Sequence, residues 1–175
     1  GIQGEIFQAK KVYILQIYRF RTRKMEIRMI RESDAGNFVE LNSKLDHETR
    51  FMMLEPGERN TDAEEQKIQI QQLIASGNSM IFVAEEESNE ELVGYIGVFG
   101  GRFIRITHCA HIVMGILKKF RGQGLGKALM QTAEEWAKDV GLKRLELSVM
   151  TDNETAIALY TRMGYEVEGL KRHSL

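Results

Sequence analysis

The sequence contains very little cysteine, proline and tryptophan, with one residue of each among 175. Cys109 has no partner within the chain, which excludes an intramolecular disulfide and favours a reducing compartment. The four histidines and Cys109 show no zinc-ligand spacing, so no metal site is expected. No apolar stretch reaches the length of a transmembrane helix. These absences together predict a cytoplasmic protein without a membrane or metal partner.

Charge of one sign is not in excess either. Twenty-four Lys and Arg residues face 25 Asp and Glu residues, and the net charge of −1 gives no reason to expect a nucleic-acid partner. The length fits one domain. Residues 1–24 carry a net charge of +5, and Met25 then begins a strand-like run. We therefore expect an N-terminal extension at 1–24, of the kind that an expression vector adds, and a domain at 25–175.

Apolar periodicity predicts alternating strands and helices from Met25 onward. The predicted order is β-α-α-β-β-β-α-β-α-β, with a long apolar strand at 105–117 and an amphipathic helix at 124–140. Ser33 and Asp34 are expected to cap the first helix, and Thr151 with Glu154 has the form of a capping box for the last one. This order indicates the α/β class (mixed α+β), with a central twisted mixed sheet and helices on both faces.

Residues 120–127 read Phe-Arg-Gly-Gln-Gly-Leu-Gly-Lys and are the most informative stretch. Their three glycines leave backbone amides uncovered at a predicted helix N-terminus, which suits a phosphate or pyrophosphate. A Walker loop would need Ser or Thr after Lys127, where Ala128 stands. The dinucleotide fingerprint would need glycine at Lys127 or at Leu129. Both nucleotide motifs therefore fail.

The pattern that fits is Arg-x-x-Gly-x-Gly, which resembles the pyrophosphate loop of the GNAT superfamily of acetyl-CoA-dependent N-acetyltransferases. A second motif on the following strand and helix resembles the other GNAT signature, an Asn, a small residue, a Tyr and a Gly-aromatic pair. The two motifs consist of Arg121, Gly124 and Gly126, and of Asn153, Ala156, Tyr160, Gly164 and Tyr165. The resemblance covers about 150 residues and implies the GNAT acyl-CoA N-acyltransferase fold.

The resemblance also implies acetyl-CoA as the co-substrate, with no metal. Met114 and Ile116 would pair through their backbone with the pantetheine amides. Asn153, Ala156 and Tyr160 would border the pantetheine and nucleotide arm. The pyrophosphate would be held by the amides of the glycine loop, namely Arg121, Gly122, Gln123, Gly124, Leu125, Gly126 and Lys127.

Direct transfer requires a neutral amine, and a lysine-type amine with a pKa of about 10.4 is mostly protonated at neutral pH. A general base and a general acid are therefore expected. Tyr160 occupies the family position of the general acid. His108 occupies the position where members often carry a glutamate that acts as the general base. His111 is the competitor for the base. Glu48 and Glu55, on the long connection after the first helix, are candidates for binding a cationic acceptor or for supplying the base.

The C-terminal part departs from the family pattern. GNAT domains usually end in a hairpin, and here the strand expected at 165–170 is followed by only five residues, so the final strand is missing. An unpaired sheet edge is normally covered. We expect the segment 12–18, rich in β-formers, or a second protomer in a homodimer to cover it.

Three functions are compatible with these patterns. The first is an N-acetyltransferase acting on a small-molecule amine or a peptide N-terminus, similar to bacterial ribosomal-protein N-terminal acetyltransferases. The second is a non-catalytic acyl-CoA-binding or sensing module, in which Tyr160 and His108 only pack. The third is a phosphate-binding domain with unrelated chemistry, which predicts no preference for acetyl-CoA over ATP.

Overall fold

A computed structural model describes residues 20–21, 25–48, 62–101, 108–149 and 153–166. Within these ranges six strands and four α-helices follow one another along the chain. The strands are β1 (Phe20–Arg21), β2 (Met25–Met29), β3 (Met80–Glu86), β4 (Leu92–Gly100), β5 (Cys109–Ile116) and β6 (Arg144–Leu147). The helices are α1 (Ala35–Glu48), α2 (Ala63–Ser76), α3 (Leu125–Asp139) and α4 (Glu154–Arg162). None of these described helices has both the length and the apolar content needed to cross a membrane.

The strands form one mixed sheet in the order β1-β2-β3-β4-β5-β6. The first five strands pair antiparallel, and β5 pairs parallel with β6. The helix α3 lies in the crossover between these two parallel strands, as such a connection requires. Phe20 and Arg21, from the segment that precedes Met25, pair with β2 at the opposite end of the sheet.

Aromatic contacts show that helices cover both faces of the sheet. Phe82 on β3 meets Trp136 of α3, with ring centroids 6.3 Å apart, and Tyr95 on β4 meets Phe38 of α1 at 5.2 Å. Tyr95 lies opposite Val83, the neighbour of Phe82 in the register of β3 and β4. Because successive side chains of a strand alternate between faces, the two contacts lie on opposite sides of the sheet. The predicted fold class is confirmed.

The predicted element order is confirmed for the described residues, and two predicted helix starts are wrong. Asp34 does not cap α1; it lies with Ser33 in a 3-10 turn before Ala35. The last helix begins at Glu154 with Asn153 as its N-cap, and Thr151, the expected cap, lies outside the described residues. The strand expected at 105–117 is described as Cys109–Ile116. Residues 105–107 of the expected strand lie outside the described residues, as do the segments 12–18 and 167–170.

A buried ion-pair cluster holds Asp34 at the entry of α1. The guanidinium of Arg28 on β2 binds both carboxylate oxygens of Asp34 at 2.8 Å, and its Nη2 binds Glu85 on β3 at 2.6 Å. Asp34 also accepts the backbone N–H of Arg31 at 2.6 Å. The side chains of Arg28 and Asp34 are 11% and 7% exposed, so the cluster joins two strands to the entry of α1 in a largely dry site.

The electrostatics of this cluster make the stability of the fold depend on pH. Burial works against ionisation of Asp34, but the hydrogen bonds from Arg28 and from the Arg31 backbone outweigh it and hold the Asp34 pKa below its usual range. A lowered folded-state pKa stabilises the fold above the unfolded pKa, and this stability is lost as pH falls through the folded pKa. The stabilisation by Asp34 is therefore complete above about pH 5 and declines below about pH 4.

We predict that Asp34→Ala lowers the free energy of unfolding by about 3 kcal/mol at pH 7, because it leaves a buried guanidinium with one partner fewer. Urea denaturation measures the change. The control is Glu40→Ala, which removes an exposed partner 3.4 Å from Lys44 and should cost less than about 0.5 kcal/mol. The difference between wild type and Asp34→Ala should shrink below about pH 4; a difference that stays constant down to pH 3 would contradict this account.

Candidate functional site

The parallel pairing between β5 and β6 stops halfway along β5. It runs from Cys109–Arg144 to Ile112–Leu147, and no described residue of β6 pairs with Val113–Ile116. The N–H of Leu117 donates to Val93 on β4 at 2.9 Å. Because hydrogen-bonding direction alternates along a strand, Val113 and Gly115 face β4, whereas Met114 and Ile116 face the side that β6 has left. The second half of β5 therefore presents backbone donors and acceptors to a gap in the sheet.

A glycine loop follows this half-paired strand. Gly122 and Gly124 have φ values of +78° and +80°, and a Cβ at either position would meet nothing within 4 Å. The glycines are thus required by backbone conformation, since other residues adopt this region at a cost. Gly124 is the N-cap of α3 and has no side chain to accept the first amides of the helix. The N–H groups of Leu125, Gly126 and Lys127 consequently have no intrahelical acceptor.

Gly126 lets the start of α3 lie close to two other elements. A Cβ there would be 3.0 Å from Leu159 Cδ2 on α4, 3.5 Å from Ile116 Cδ1 and 3.7 Å from Met114 Cε on β5. The uncapped helix end, the outward-facing half of β5 and α4 therefore meet at one point. Two sequence motifs that are 20-odd residues apart are brought together there.

Two polar contacts fix the entry of the loop. Arg121 Nε donates to the carbonyl oxygen of Ile116 at 3.0 Å, across the turn between β5 and α3. Glu48, at the end of α1, accepts the backbone N–H of Lys118 at 2.8 Å. Glu48 was expected to bind a cationic acceptor, and here its carboxylate holds the start of the loop. Sequence reasoning could not have found this contact, because its partners are 70 residues apart and have no shared pattern. Glu55 lies outside the described residues.

Tyr160 follows Leu159 on α4, the helix that meets the start of α3 at Gly126. Asn153 Oδ1 accepts the N–H of Ala156 at 3.3 Å, which makes Asn153 the N-cap and ties the two predicted cofactor residues together. The Tyr160 ring meets the Tyr165 ring edge-on at 6.0 Å. Tyr165 also donates its backbone N–H to the Tyr160 carbonyl at 3.0 Å. Tyr165 entered the sequence motif only as an aromatic, and its contact with Tyr160 was not foreseen.

Burial raises the pKa of Tyr160 above its usual value of 10.0. Burial also raises the pKa of Tyr165, to which the nearby Glu134 and Tyr160 add. Burial raises the pKa of Glu134 as well, against the opposing effect of Lys138. Tyr160 is therefore held in its protonated form at neutral pH and beyond, the state in which a phenol can donate a proton.

The two candidate bases lie at the far end of β5. His111 is exposed on β5 and lies opposite Phe99 in the register with β4. His108 is exposed in the turn before the strand, and its carbonyl accepts the N–H groups of Lys143 and Arg144 at 2.8 and 3.1 Å. At a rise of about 3.4 Å per residue, His111 lies about 10 Å from Met114 along the chain, and His108 lies about 20 Å from Met114. The structure does not bring either imidazole against Tyr160.

Cys109 and the acidic residues form no second centre in the part of the chain that the structure describes. Cys109 is half-buried at the start of β5. No group of three or more His, Cys, Asp or Glu side chains among the described residues could hold a metal ion. The chemistry that remains is anion binding by backbone amides, with a protonated phenol beside it.

The sequence of residues 44–165 matches the model of the Acetyltransferase (GNAT) family. This match spans well over half of the chain, and the chain therefore belongs to that family. It is 42% identical over 57 residues to a Bacillus subtilis (strain 168) protein named "Uncharacterized N-acetyltransferase YdgE", covering 33% of this chain and 36% of that protein. The matched segment thus spans about a third of this curated relative.

Solved structures share the fold. A GNAT-family acetyltransferase from Streptococcus pneumoniae superposes with a TM-score of 0.78 at 29% identity, over 83% of this chain and 86% of that chain. The yncA protein of Salmonella typhimurium, solved with its cofactor acetyl-CoA, superposes at 0.71 with 18% identity, over 83% of this chain and 81% of that chain. The GNAT fold expected from the two motifs is confirmed.

We predict that Gly124→Ala lowers the free energy of unfolding by about 1–2 kcal/mol, because alanine is strained at a φ of +80°. The matched control is Gly36→Ala in α1, where a Cβ meets nothing within 4 Å. That change should raise stability by about 0.5–1 kcal/mol, since glycine weakens a helix interior. Chemical denaturation measures both. Equal effects of the two substitutions would show that the left-handed helix entry is not a constraint.

Proposed function

We propose that this chain is an N-acetyltransferase that moves the acetyl group of acetyl-CoA to a primary amine by direct attack in a ternary complex. One observation carries the proposal. The half of β5 at Met114 and Ile116, with which no described residue of β6 pairs, the uncapped amides of α3 and the Tyr160 helix meet at the Gly126 contact point. The proposal rests on that juxtaposition together with membership of the GNAT family.

The two sets of free backbone groups suit the two ends of the cofactor. The pyrophosphate would accept hydrogen bonds from the amides between Arg121 and Lys127, where the positive end of the α3 dipole also favours an anion. The amides of the pantetheine arm would pair with the Met114 and Ile116 backbone as an added strand pairs with a sheet edge. Gln123 is exposed in the loop, and Asn153 and Ala156 would border the arm from α4.

The attacking nitrogen forms a bond to the thioester carbonyl carbon, the carbon–sulfur bond breaks, and CoA leaves as a thiolate. Tyr160 would donate its phenolic proton to that sulfur, which its raised pKa allows over the whole neutral range. His111 or His108 would accept the proton of the amine through water. The shorter strand distance to Met114 favours His111.

The family acts on amines, and a small-molecule amine or a peptide N-terminus fits this reaction as the acceptor. The contact of Glu48 with the loop entry leaves it close to the proposed cofactor but does not make it an acceptor ligand. The second candidate, a non-catalytic acyl-CoA-binding module, uses the same backbone groups and differs only in lacking turnover. Assembly into a homodimer remains a prediction.

We predict that acetyl-CoA, and not ATP, raises the melting temperature by several degrees, since a ligand at a hundred times its Kd adds about 2.7 kcal/mol to the folded state. Turnover on a panel of amines should then be observed by release of CoA. Tyr160→Phe should lower kcat by about 100-fold, through loss of the general acid, with an unchanged Kd for acetyl-CoA.

Thr161→Ala is the control for that variant, because it removes a neighbouring hydroxyl that is exposed and bonded to the Ile157 carbonyl. It should leave kcat unchanged. Binding of acetyl-CoA without turnover on any amine would support the non-catalytic module. Equal stabilisation by ATP and acetyl-CoA would support a general phosphate-binding domain.

The base is tested by pH profiles of kcat/KM for His111→Ala and His108→Ala. A base must be neutral to accept the amine proton, so activity should fall on the acidic side of the profile. Removal of the base should abolish this acidic limb and leave a slower, flatter profile. Removal of the histidine that is not the base should change neither the acidic limb nor the rate. An acidic limb that persists in both variants would exclude both residues.

A further inference from the structure

The C-terminal end of α4 folds back onto Tyr160. The N–H of Tyr165 donates to the Tyr160 carbonyl oxygen at 3.0 Å, and the N–H of Gly164 donates to the Thr161 carbonyl oxygen at 3.0 Å. This pair of bonds is the Schellman motif, which satisfies carbonyl groups that a helix end would otherwise leave free. Gly164 takes the left-handed position of the motif, with a φ of +91°. The backbone itself therefore returns Tyr165 to the turn of α4 that carries Tyr160.

The same motif brings the two tyrosine rings together. In a Schellman motif the residue after the glycine frequently contacts the residue that accepts the longer hydrogen bond. Here these residues are Tyr165 and Tyr160, whose rings lie 6.0 Å apart with an angle of 62° between their planes. Both rings are half-buried and pack against the core. An edge-on contact of this kind is a favourable geometry for aromatic pairs, so it restrains both rings.

The direction of the Tyr160 proton depends on this restraint. A phenolic O–H lies close to the plane of its ring, so the ring plane decides where the proton points. The χ2 torsion that sets this plane has a broad preference in an isolated tyrosine. No described residue makes a hydrogen bond to the Tyr160 hydroxyl. The neighbouring ring of Tyr165 is thus the contact that can fix the plane.

Tyr165 is poorly suited to donate a proton itself. Burial raises the pKa of Tyr165, and the charge of Glu134 on α3 raises it further. The pKa of Tyr160 is raised by burial, without a contribution from Glu134. Tyr165 is therefore the weaker acid of the two phenols. Its ring, and not its hydroxyl, is the part available for a role at the site.

We infer that Tyr165 is a positioning residue for the general acid, and that the Schellman motif at the end of α4 holds its ring against Tyr160. This inference rests on the proposed acetyl transfer. In that reaction the nitrogen–carbon bond forms, the carbon–sulfur bond breaks, and the Tyr160 proton passes to the sulfur of CoA. The tyrosinate then regains a proton from water. Tyr165 exchanges no proton and acts on kcat only through Tyr160.

The first test compares Tyr165→Leu with Tyr165→Phe in the assay of CoA release. Tyr165→Leu removes the ring and should lower kcat about tenfold, because a misoriented proton donor is less effective. The Kd for acetyl-CoA and the KM for the amine should stay at their wild-type values. Tyr165→Phe keeps the ring and loses only the hydroxyl, so it should restore kcat to within about twofold of wild type.

A double-mutant cycle separates positioning from a general structural effect. Adding Tyr165→Leu to Tyr160→Phe should cause no further loss of kcat, because the proton donor on which Tyr165 acts is already absent. Glu134→Gln keeps the shape of the side chain and removes its charge, which changes the acidity of Tyr165 only. It should leave kcat unchanged, since Tyr165 donates no proton.

The matched control breaks another aromatic pair. Phe82→Leu removes the contact between Phe82 and Trp136, whose rings lie 6.3 Å apart at 70° within the core. It should leave kcat unchanged at a temperature where the variant is folded. Should Tyr165→Leu fail to fold, Gly164→Ala keeps both rings and strains the motif at a φ of +91°. It should lower kcat in the same direction without changing the Kd for acetyl-CoA.

Wild-type kcat in Tyr165→Leu would overturn the inference. An equal loss in Tyr165→Phe would do so as well, since it would assign the role to the hydroxyl. A further loss in the Tyr160→Phe background would show that Tyr165 does not act through the acid. These outcomes leave acetyl transfer intact and remove only the role of Tyr165. Absence of turnover in the wild-type protein would instead overturn the proposed function, and the positioning role with it.

Discussion

The site depends on one break in the sheet. β5 and β6 start as a regular parallel pair and separate after Ile112 and Leu147. A sheet normally satisfies the backbone groups of an interior strand on both sides. Here the alternating groups of Met114 and Ile116 lose one partner strand, at the point where α3 begins without a cap. Among the described residues, the Met114 backbone and the Ile116 N–H on one side and the first amides of α3 on the other thus lie next to each other. A molecule with amides at one end and phosphates at the other can bind both sets.

Because side chains alternate along β5, its residues contact different helices on the two faces of the sheet. Met114 and Ile116 have side chains that reach Gly126 at the start of α3, whereas Gly115 contacts Leu45 of α1. The side chains of Met114 and Ile116 thereby lie toward α3 and α4, and Gly115 lies toward α1. Three glycines allow neighbouring side chains to pack close to the backbone. The absence of a side chain leaves space for α4 at Gly126, for Tyr95 at Gly115 and for the ring of Phe99 at Gly97.

Sequence patterns predicted the parts of this arrangement that are local. The glycine loop, the amphipathic α3 and the strand before it follow from spacing alone, and the positive φ values at Gly122 and Gly124 explain why glycine stands there. Contacts between distant residues could not be predicted in this way. The carboxylate of Glu48 binds the backbone of Lys118, and Glu85 on β3 binds the guanidinium of Arg28 that also holds Asp34. These partners are 70 and 57 residues apart, so no local pattern reveals them.

The most direct test of the account is amide hydrogen exchange along β5 and the start of α3, with and without acetyl-CoA. The account predicts that acetyl-CoA slows exchange at the N–H groups of Met114 and Ile116 and at those of residues 125–127. The amides of Val113 and Gly115, already bonded to β4, should change little. Binding of acetyl-CoA with no slowing at Met114 and Ile116 would contradict the claim that the break in the sheet holds the cofactor.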